Sequence, residues 1–338
     1  MYIKAKKMKL LFFTFLGILL MIFLSMLSLS IGVTSMSFRE VVFTLFGVND
    51  DYSLRNIVIN IRLPRLLSAI IIGMSLSISG AVMQTLFKNP VIDPYIGGIA
   101  AGAALGATSA LLFGMTLLSP ASPYAIPFAA FIGSIAALFL TILFSRLSGA
   151  SPLSFILSGI AVNFLFSSAT TIVVIVSGER AYGVLFWHFG SLVTSSWRYL
   201  KVTSPIALIV ILCVLLYARK LNVLLLDDEA QVLGINVKSL RYFFLVILSL
   251  LTALVVSFNG IIGFVGLVAP HIARLIVGGD HRLLLPMSML IGSLILLSAD
   301  IVARIAIAPA ELPIGAITSF IGVPFFLHLL LRRSRRYG

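Results

Sequence analysis

Few residues in this chain could do chemistry, and they lie far apart. The four histidines stand at 188, 271, 281 and 328, with no H-E-x-x-H spacing and no cysteine partners. No protein-built metal site is therefore expected, and no resident cofactor. Cys213 is alone, so an intrachain disulfide is impossible. No G-x-x-x-x-G-K-[ST] stretch is present to cradle phosphates. "GGIAAG" (Gly97–Gly102) has the wrong spacing for a dinucleotide loop and lies in an apolar run. No Ser/His/Asp set stands out, so an enzyme reading has little support. What remains is charge inside apolar sequence. Asp300 and Arg304 stand four apart, so on a helix they share a face and can pair. Ionisable residues at membrane depth are costly and point to function. Simple mutual neutralisation is an equally strong account of the pair. A proton relay would need more carboxylates within the apolar runs than Asp300 alone. A second unusual stretch is "GFVGLVAPHIAR" (Gly263–Arg274), where Pro270, His271 and Arg274 follow seven residues without charge.

Those residues must be positioned by a membrane protein. Of 338 residues, 60% are hydrophobic and only 10% charged, with a mean hydropathy of +1.15. A soluble domain carries about 25% charged residues. The polar surface is too small to cover the chain in water, so the lipid bilayer is its main surrounding. The net charge of +13 does not imply nucleic acid, because no basic stripe interleaved with aromatics occurs. The basic clusters are "KAKKMK" (Lys4–Lys9) and "RRSRR" (Arg332–Arg336), both flanking apolar runs. Ten spans are expected, from Leu10–Val33 and Pro64–Phe87 through 95–113, 124–145, 152–176, 203–218, 239–258, 260–273, 284–307 and 312–331. An even number puts both termini on one side. Lys and Arg are more numerous on that side, which predicts cytoplasmic termini in a plasma or inner membrane. The whole chain, 1–338, reads as one transmembrane domain.

Two patterns suggest how the spans pack and what they meet. Gly98, Gly102, Gly106 and Ala110 recur every fourth residue, as do Gly73, Ser77 and Ala81. Small residues on one face let membrane helices approach closely. The longest charged segment between spans runs from about 219 to 241. It reads as two short helices around Gly234, the second beginning near Asn236. Asp228 and Glu229 suit the positive start of the first helix. Its apolar residues, Leu224 and Leu233 among them, are more than water would tolerate, so a cytoplasmic protein partner is expected to cover it.

The ordered motifs "RLPR" (Arg62–Arg65), "SGAVMQTLFKNPVIDPYIGG" (Ser79–Gly98), "FWHFGSL" (Phe186–Leu192), "LGINVKSLR" (Leu233–Arg241), "GIIGFVGLVAPHIARLIVGGDHRLLLP" (Gly260–Pro286) and "AELPIGAITSFIGVPFF" (Ala310–Phe326) resemble the FecCD-type permeases of ABC importers for iron–siderophore chelates, haem and cobalamin. The resemblance covers nearly the whole chain. One departure is Asp227, where the family usually has glycine. The resemblance implies an all-α, polytopic, ten-helix permease of type II ABC importer architecture, working as a pair of copies. It implies two cytoplasmic ATPase subunits and an extracytoplasmic substrate-binding protein as partners. It implies that Arg62, Arg65 and Arg304 receive that binding protein. Leu224, Asp228, Glu229, Leu233 and Gly234 would belong to the loop that couples to the ATPase. Pro270, at which the helix is expected to stop or bend, His271 and Arg274 would mark the cytoplasmic interface. The expected cargo is an iron(III)–siderophore-type chelate. Cobalamin, haem or an oxyanion on the same machine is the alternative, and a secondary transporter without an ATPase is a more distant one.

Overall fold

The computed structural model describes residues 2–32, 34–48, 51–114, 118–119, 122–177, 184, 187–226 and 236–334. Among them the secondary structure is helical, apart from one isolated bridge between Ile307 and Ala310. The helices are α1 (Tyr2–Ser30), α2 (Phe38–Leu45), α3 (Tyr52–Arg55), α4 (Leu63–Leu86), α5 (Ile99–Phe113), α6 (Ala125–Leu147), α7 (Pro152–Ser177), α8 (Trp197–Leu216), α9 (Ala218–Val223), α10 (Val237–Asn259), α11 (Val265–Val277), α12 (His281–Ile305) and α13 (Ile314–Ser334). A π-helical stretch, Asn56–Arg62, joins α3 to α4.

Among the described residues, seven helical segments are long and apolar enough to cross a membrane, and α5, α11 and α13 are shorter apolar helices. Together they correspond to the ten expected spans. At 1.5 Å per residue, α11 is only about 20 Å long, against a hydrocarbon core of about 30 Å. Its sequence limits it at the front. Gly260 has φ +71°, Phe264 has φ +66°, and the intervening residues are not helical, so the helix starts at Val265. The span expected at 260–273 is therefore shifted toward the C-terminus.

The chain forms two compact units, each assembled from separated segments: 1–81 with 192–222 and 263–338, and 82–191 with 223–262. In the first unit, α4 meets α12 at Gly73 and Gly292. A Cβ on Gly73 would come 2.5 Å from the Gly292 carbonyl oxygen, closer than real contacts allow. Ser77 packs at the same crossing, as the four-residue spacing predicts. Ser293 Oγ adds a hydrogen bond across it to the Ile70 carbonyl (3.0 Å). Further along α4, Gly80 lies directly against the Gly266 carbonyl of α11. An apolar core of Ala269, Ala273, Leu284, Met287 and Ile291, flanked by Leu10 and Phe13, joins α11, α12 and α1.

The second unit uses the same device. Gly102 and Gly106 of α5 meet Gly133 and Ala129 of α6 backbone to backbone. Ser134 Oγ and Thr141 Oγ1 of α6 donate to the carbonyls of Ile99 (3.1 Å) and Gly97 (3.0 Å). Close approach and side-chain-to-carbonyl bonds hold helices together where lipid supplies no hydrophobic drive. Tyr95 fastens the loop before α5 to the chain before α11, its hydroxyl donating to the Ile262 carbonyl at 2.8 Å.

Candidate functional site

The best-defined polar constellation lies in the first unit, where α1 ends. A helix leaves its last four carbonyls without partners inside the helix. Here two arginines from distant spans supply donors. Arg62 Nη1 donates to the carbonyls of Leu29 (2.6 Å) and Ser30 (2.9 Å), and Nη2 reaches the Thr34 carbonyl. Arg304 Nη1 donates to the carbonyls of Ser28 (2.9 Å) and Ile31 (3.0 Å), and Nη2 to Ser28 Oγ (2.7 Å). Gly32 leaves room for this, since a Cβ there would come 2.6 Å from Arg62 Nη2.

Arg65 ties two carboxylates to the same cluster. Its Nε donates to Asp300 Oδ1 (2.8 Å), while Nη1 and Nη2 grip Glu311 in a two-pronged pair (3.0 and 2.7 Å). The Asp300–Arg304 pair expected from spacing is present at 3.2 Å, but it is the longer of the two contacts to Asp300. Three guanidinium groups face two carboxylates. The surplus positive charge sits on the carbonyl end of α1, where the helix dipole is negative. Asp300 is fully buried, and Arg62, Arg65 and Arg304 are each at most 8% exposed. These are the three arginines that the resemblance assigns to receiving the binding protein. The structure places them beneath the surface, each bonded within the chain.

Of the expected coupling-loop residues, Leu224 is buried in a short 3-10 turn (Leu224–Leu226). Asp228, Glu229, Leu233 and Gly234 lie outside the described residues. Both flanks of that segment are built. Asn236 caps α10, its Oδ1 accepting from Ser239 N (3.0 Å), where a second helix was expected to begin. On the other flank, Asn222 Nδ2 donates to Asp280 Oδ1 (2.8 Å), and Asn222 Oδ1 accepts from His281 N (2.9 Å). His281 Nδ1 lies 2.6 Å from the same Asn222 oxygen, so it carries the proton. Arg282 and these bonds hold the Asp280 carboxyl well below the usual carboxylate range. This knot joins α9 to the start of α12, and no sequence spacing announced it.

Pro270, His271 and Arg274 all lie within α11. Of the stop or bend expected at Pro270, the stop does not occur: the helix continues through it to Val277. Proline at the sixth position removes the N–H that would bond the Gly266 carbonyl. That carbonyl is the one packed against Gly80 of α4. His271 and Arg274 are half-buried, and Arg274 sits in the last turn, where a cation suits the dipole. Among the described residues no group of three His, Cys, Asp or Glu could hold a metal.

Among the described residues, seven long and three shorter apolar helices, packed through glycine crossings and with buried charges bonded within the chain, define a multi-pass membrane permease of type II ABC importer architecture. The chain belongs to the FecCD transport family, whose pattern it matches over residues 19–332. It is 40% identical over 324 residues to the hemin transport system permease protein of Yersinia pestis, covering 95% of this chain and 96% of that one. It is 41% identical over 293 residues to the cobalamin import system permease protein of Halobacterium salinarum, covering 86% and 77%. A chain from a metal-chelate-type ABC transporter in an inward-facing conformation superposes with a TM-score of 0.83 at 34% identity, covering 94% of this chain and 98% of that one. The chain is thus an ABC importer permease.

Proposed function

We propose that this permease carries an iron(III)–siderophore-type chelate inward, as a pair of copies driven by two cytoplasmic ATPase subunits and loaded by an extracytoplasmic binding protein. The observation that supports this cargo most is the near-complete structural match to the metal-chelate-type transporter. Both termini are cytoplasmic in this reading, with Pro270, His271 and Arg274 toward that side. Segment 219–241, with Leu224, Asp228, Glu229, Leu233 and Gly234, seats on the ATPase. Arg62, Arg65 and Arg304 serve binding-protein docking from beneath, by holding the outer ends of α1, α4 and α12 in register. Cobalamin or haem is the second reading, favoured by the identity to the cobalamin and hemin permeases.

The test is reconstitution. The chain alone in liposomes is expected to accumulate no chelate under a proton or sodium gradient. Adding the ATPase, the binding protein and ATP on the ATPase side should start uptake, and vanadate should stop it. A ferric chelate should be accumulated in preference to haem or cobalamin. Preference for either of those replaces the cargo, and gradient-driven uptake by the chain alone overturns the energy source.

A further inference from the structure

The second unit contains a pocket of about 370 Å³, two of whose lining residues, Lys238 and Arg241, lie at the end of the segment proposed to seat on the ATPase. It lies where four helix ends meet: the last turns of α4 (Leu86) and α6 (Ile142, Ser145), the turn 149–151, the first turns of α7 (Pro152, Phe155) and the first turns of α10 (Lys238, Arg241, Tyr242, Leu245). Two helix N-termini and two C-termini converge there, so their dipoles largely offset one another. The field in the pocket comes from side chains. Lys238 and Arg241 line it, none of its lining residues is acidic, and Arg146 lies 5.5 Å above the Tyr242 ring that forms one wall. Ser145 and Ser151 supply hydroxyls. Leu86, Phe155 and Leu245 make the base apolar.

Its surroundings narrow the occupant. Leu143, Phe144, Leu147 and Leu153, on the same ends of α6 and α7, are exposed. In a membrane protein such a surface faces acyl chains. A cationic cleft at helix ends, continuous with an apolar lipid-facing surface, matches a molecule with an anionic head and an apolar tail. Basic pockets between transmembrane helices hold lipid headgroups in this manner, and the volume lies within the range of specific small-ligand sites. We infer that this pocket binds the headgroup of an anionic phospholipid, with phosphate at Lys238 and Arg241, the first acyl carbons against Phe155 and Leu245, and the tail running out past Leu147 and Leu153. Occupancy would brace the start of α10, the helix that follows segment 227–235. The inference concerns lipid binding by this chain alone and stands apart from its cargo.

Native mass spectrometry of the full chain, released from a neutral detergent, tests it. Phosphatidylglycerol and phosphatidylcholine with identical acyl chains are titrated in parallel, and thermal unfolding reports folding of each variant. One phosphatidylglycerol should be retained with about tenfold or greater preference. The Lys238→Ala/Arg241→Ala variant should lose that preference, and Lys238→Arg should keep it. Ile142→Trp, which fills the pocket and changes no charge, should also abolish retention. That variant decides the matter if the double variant does not fold. Equal retention of both lipids, or unchanged retention in Ile142→Trp, overturns the site. Displacement by equimolar glycerol 3-phosphate would assign the pocket to a soluble phosphate, and displacement by the ATPase subunit would assign it to a protein. Either result also overturns the lipid reading.

Discussion

Helix α12 is fastened at both ends, and the two ends are held in opposite ways. At its start, Asp280, Asn222 and His281 form a small knot of hydrogen bonds around one carboxylate. Toward its finish, Asp300 and Arg304 belong to a five-residue ionic cluster with Arg65, Glu311 and Arg62 at the end of α1. The difference follows from what each end must satisfy. The end of α1 presents several carbonyls to be paired, and guanidinium groups with five donors each suit that task. The start of α12 presents one histidine ring and one backbone N–H, which a single amide can serve. Charge is buried where many acceptors absorb it, and at the other end the charged pair, Asp280 with Arg282, stays partly exposed while an amide serves the histidine.

The sharpest way to break this comparison is Asp300→Ala. It strands Arg65 and Arg304 in a buried site, and removing one partner of such a cluster costs about 3–5 kcal/mol. The expected outcome is loss of folded protein by size exclusion in detergent and a large fall in Tm. An unchanged Tm would mean that the cluster is hydrated. Asn222→Ala should cost less, about 1–3 kcal/mol, because it leaves the donors of His281 without their acceptor, while Asp280 loses one donor and keeps Arg282. Limited proteolysis should then cut faster in segment 227–235, whereas Asp300→Ala should affect the whole chain. Equal cleavage of wild type and Asn222→Ala would show that the knot does not steady that segment.

The smallest effect concerns pH, and it separates two carboxylates outside the spans. Asp93, in the loop before α5, accepts a hydrogen bond from Tyr95 N (2.9 Å), and burial pushes its pKa up to about 6. The folded state therefore favours its neutral form. Its contribution to stability is fully present below the ordinary carboxylate range and is lost as pH rises through about 6. Asp280 has the opposite sign. Its lowered pKa contributes above the ordinary carboxylate range and is lost as pH falls through the folded value. Thermal unfolding of Asp93→Asn across pH 4–7 should remove a downward slope that wild type shows. An unchanged slope would place its origin elsewhere.

The spans were legible because length and apolarity decide membrane crossing, and Gly73, Ser77, Gly102 and Gly106 announced their crossings by four-residue spacing. Local charge geometry was legible too, since Asp300 and Arg304 are one turn apart. The sequence concealed contacts that depend on which spans become neighbours. Arg65 takes the shortest contact to Asp300 across 235 positions, and Asn222 meets His281 across 59. Nor could spacing tell an arginine open at a rim from one bonded to helix-end carbonyls, because both follow an apolar run. Spacing also left open whether Pro270 stops or bends its helix: α11 runs on to Val277, and the Gly266 carbonyl that proline leaves without an N–H lies against Gly80.

The cap on α1 also sets a timetable for biosynthesis. The Ser28 carbonyl waits for Arg304, 276 positions later. At about 5–20 residues per second, that interval is on the order of tens of seconds. Throughout it, the first span stands in the bilayer with one end incompletely bonded. A nascent chain interrupted before Arg304 lacks the donors to the Ser28 and Ile31 carbonyls, so α1 receives its full cap only once α12 has been made.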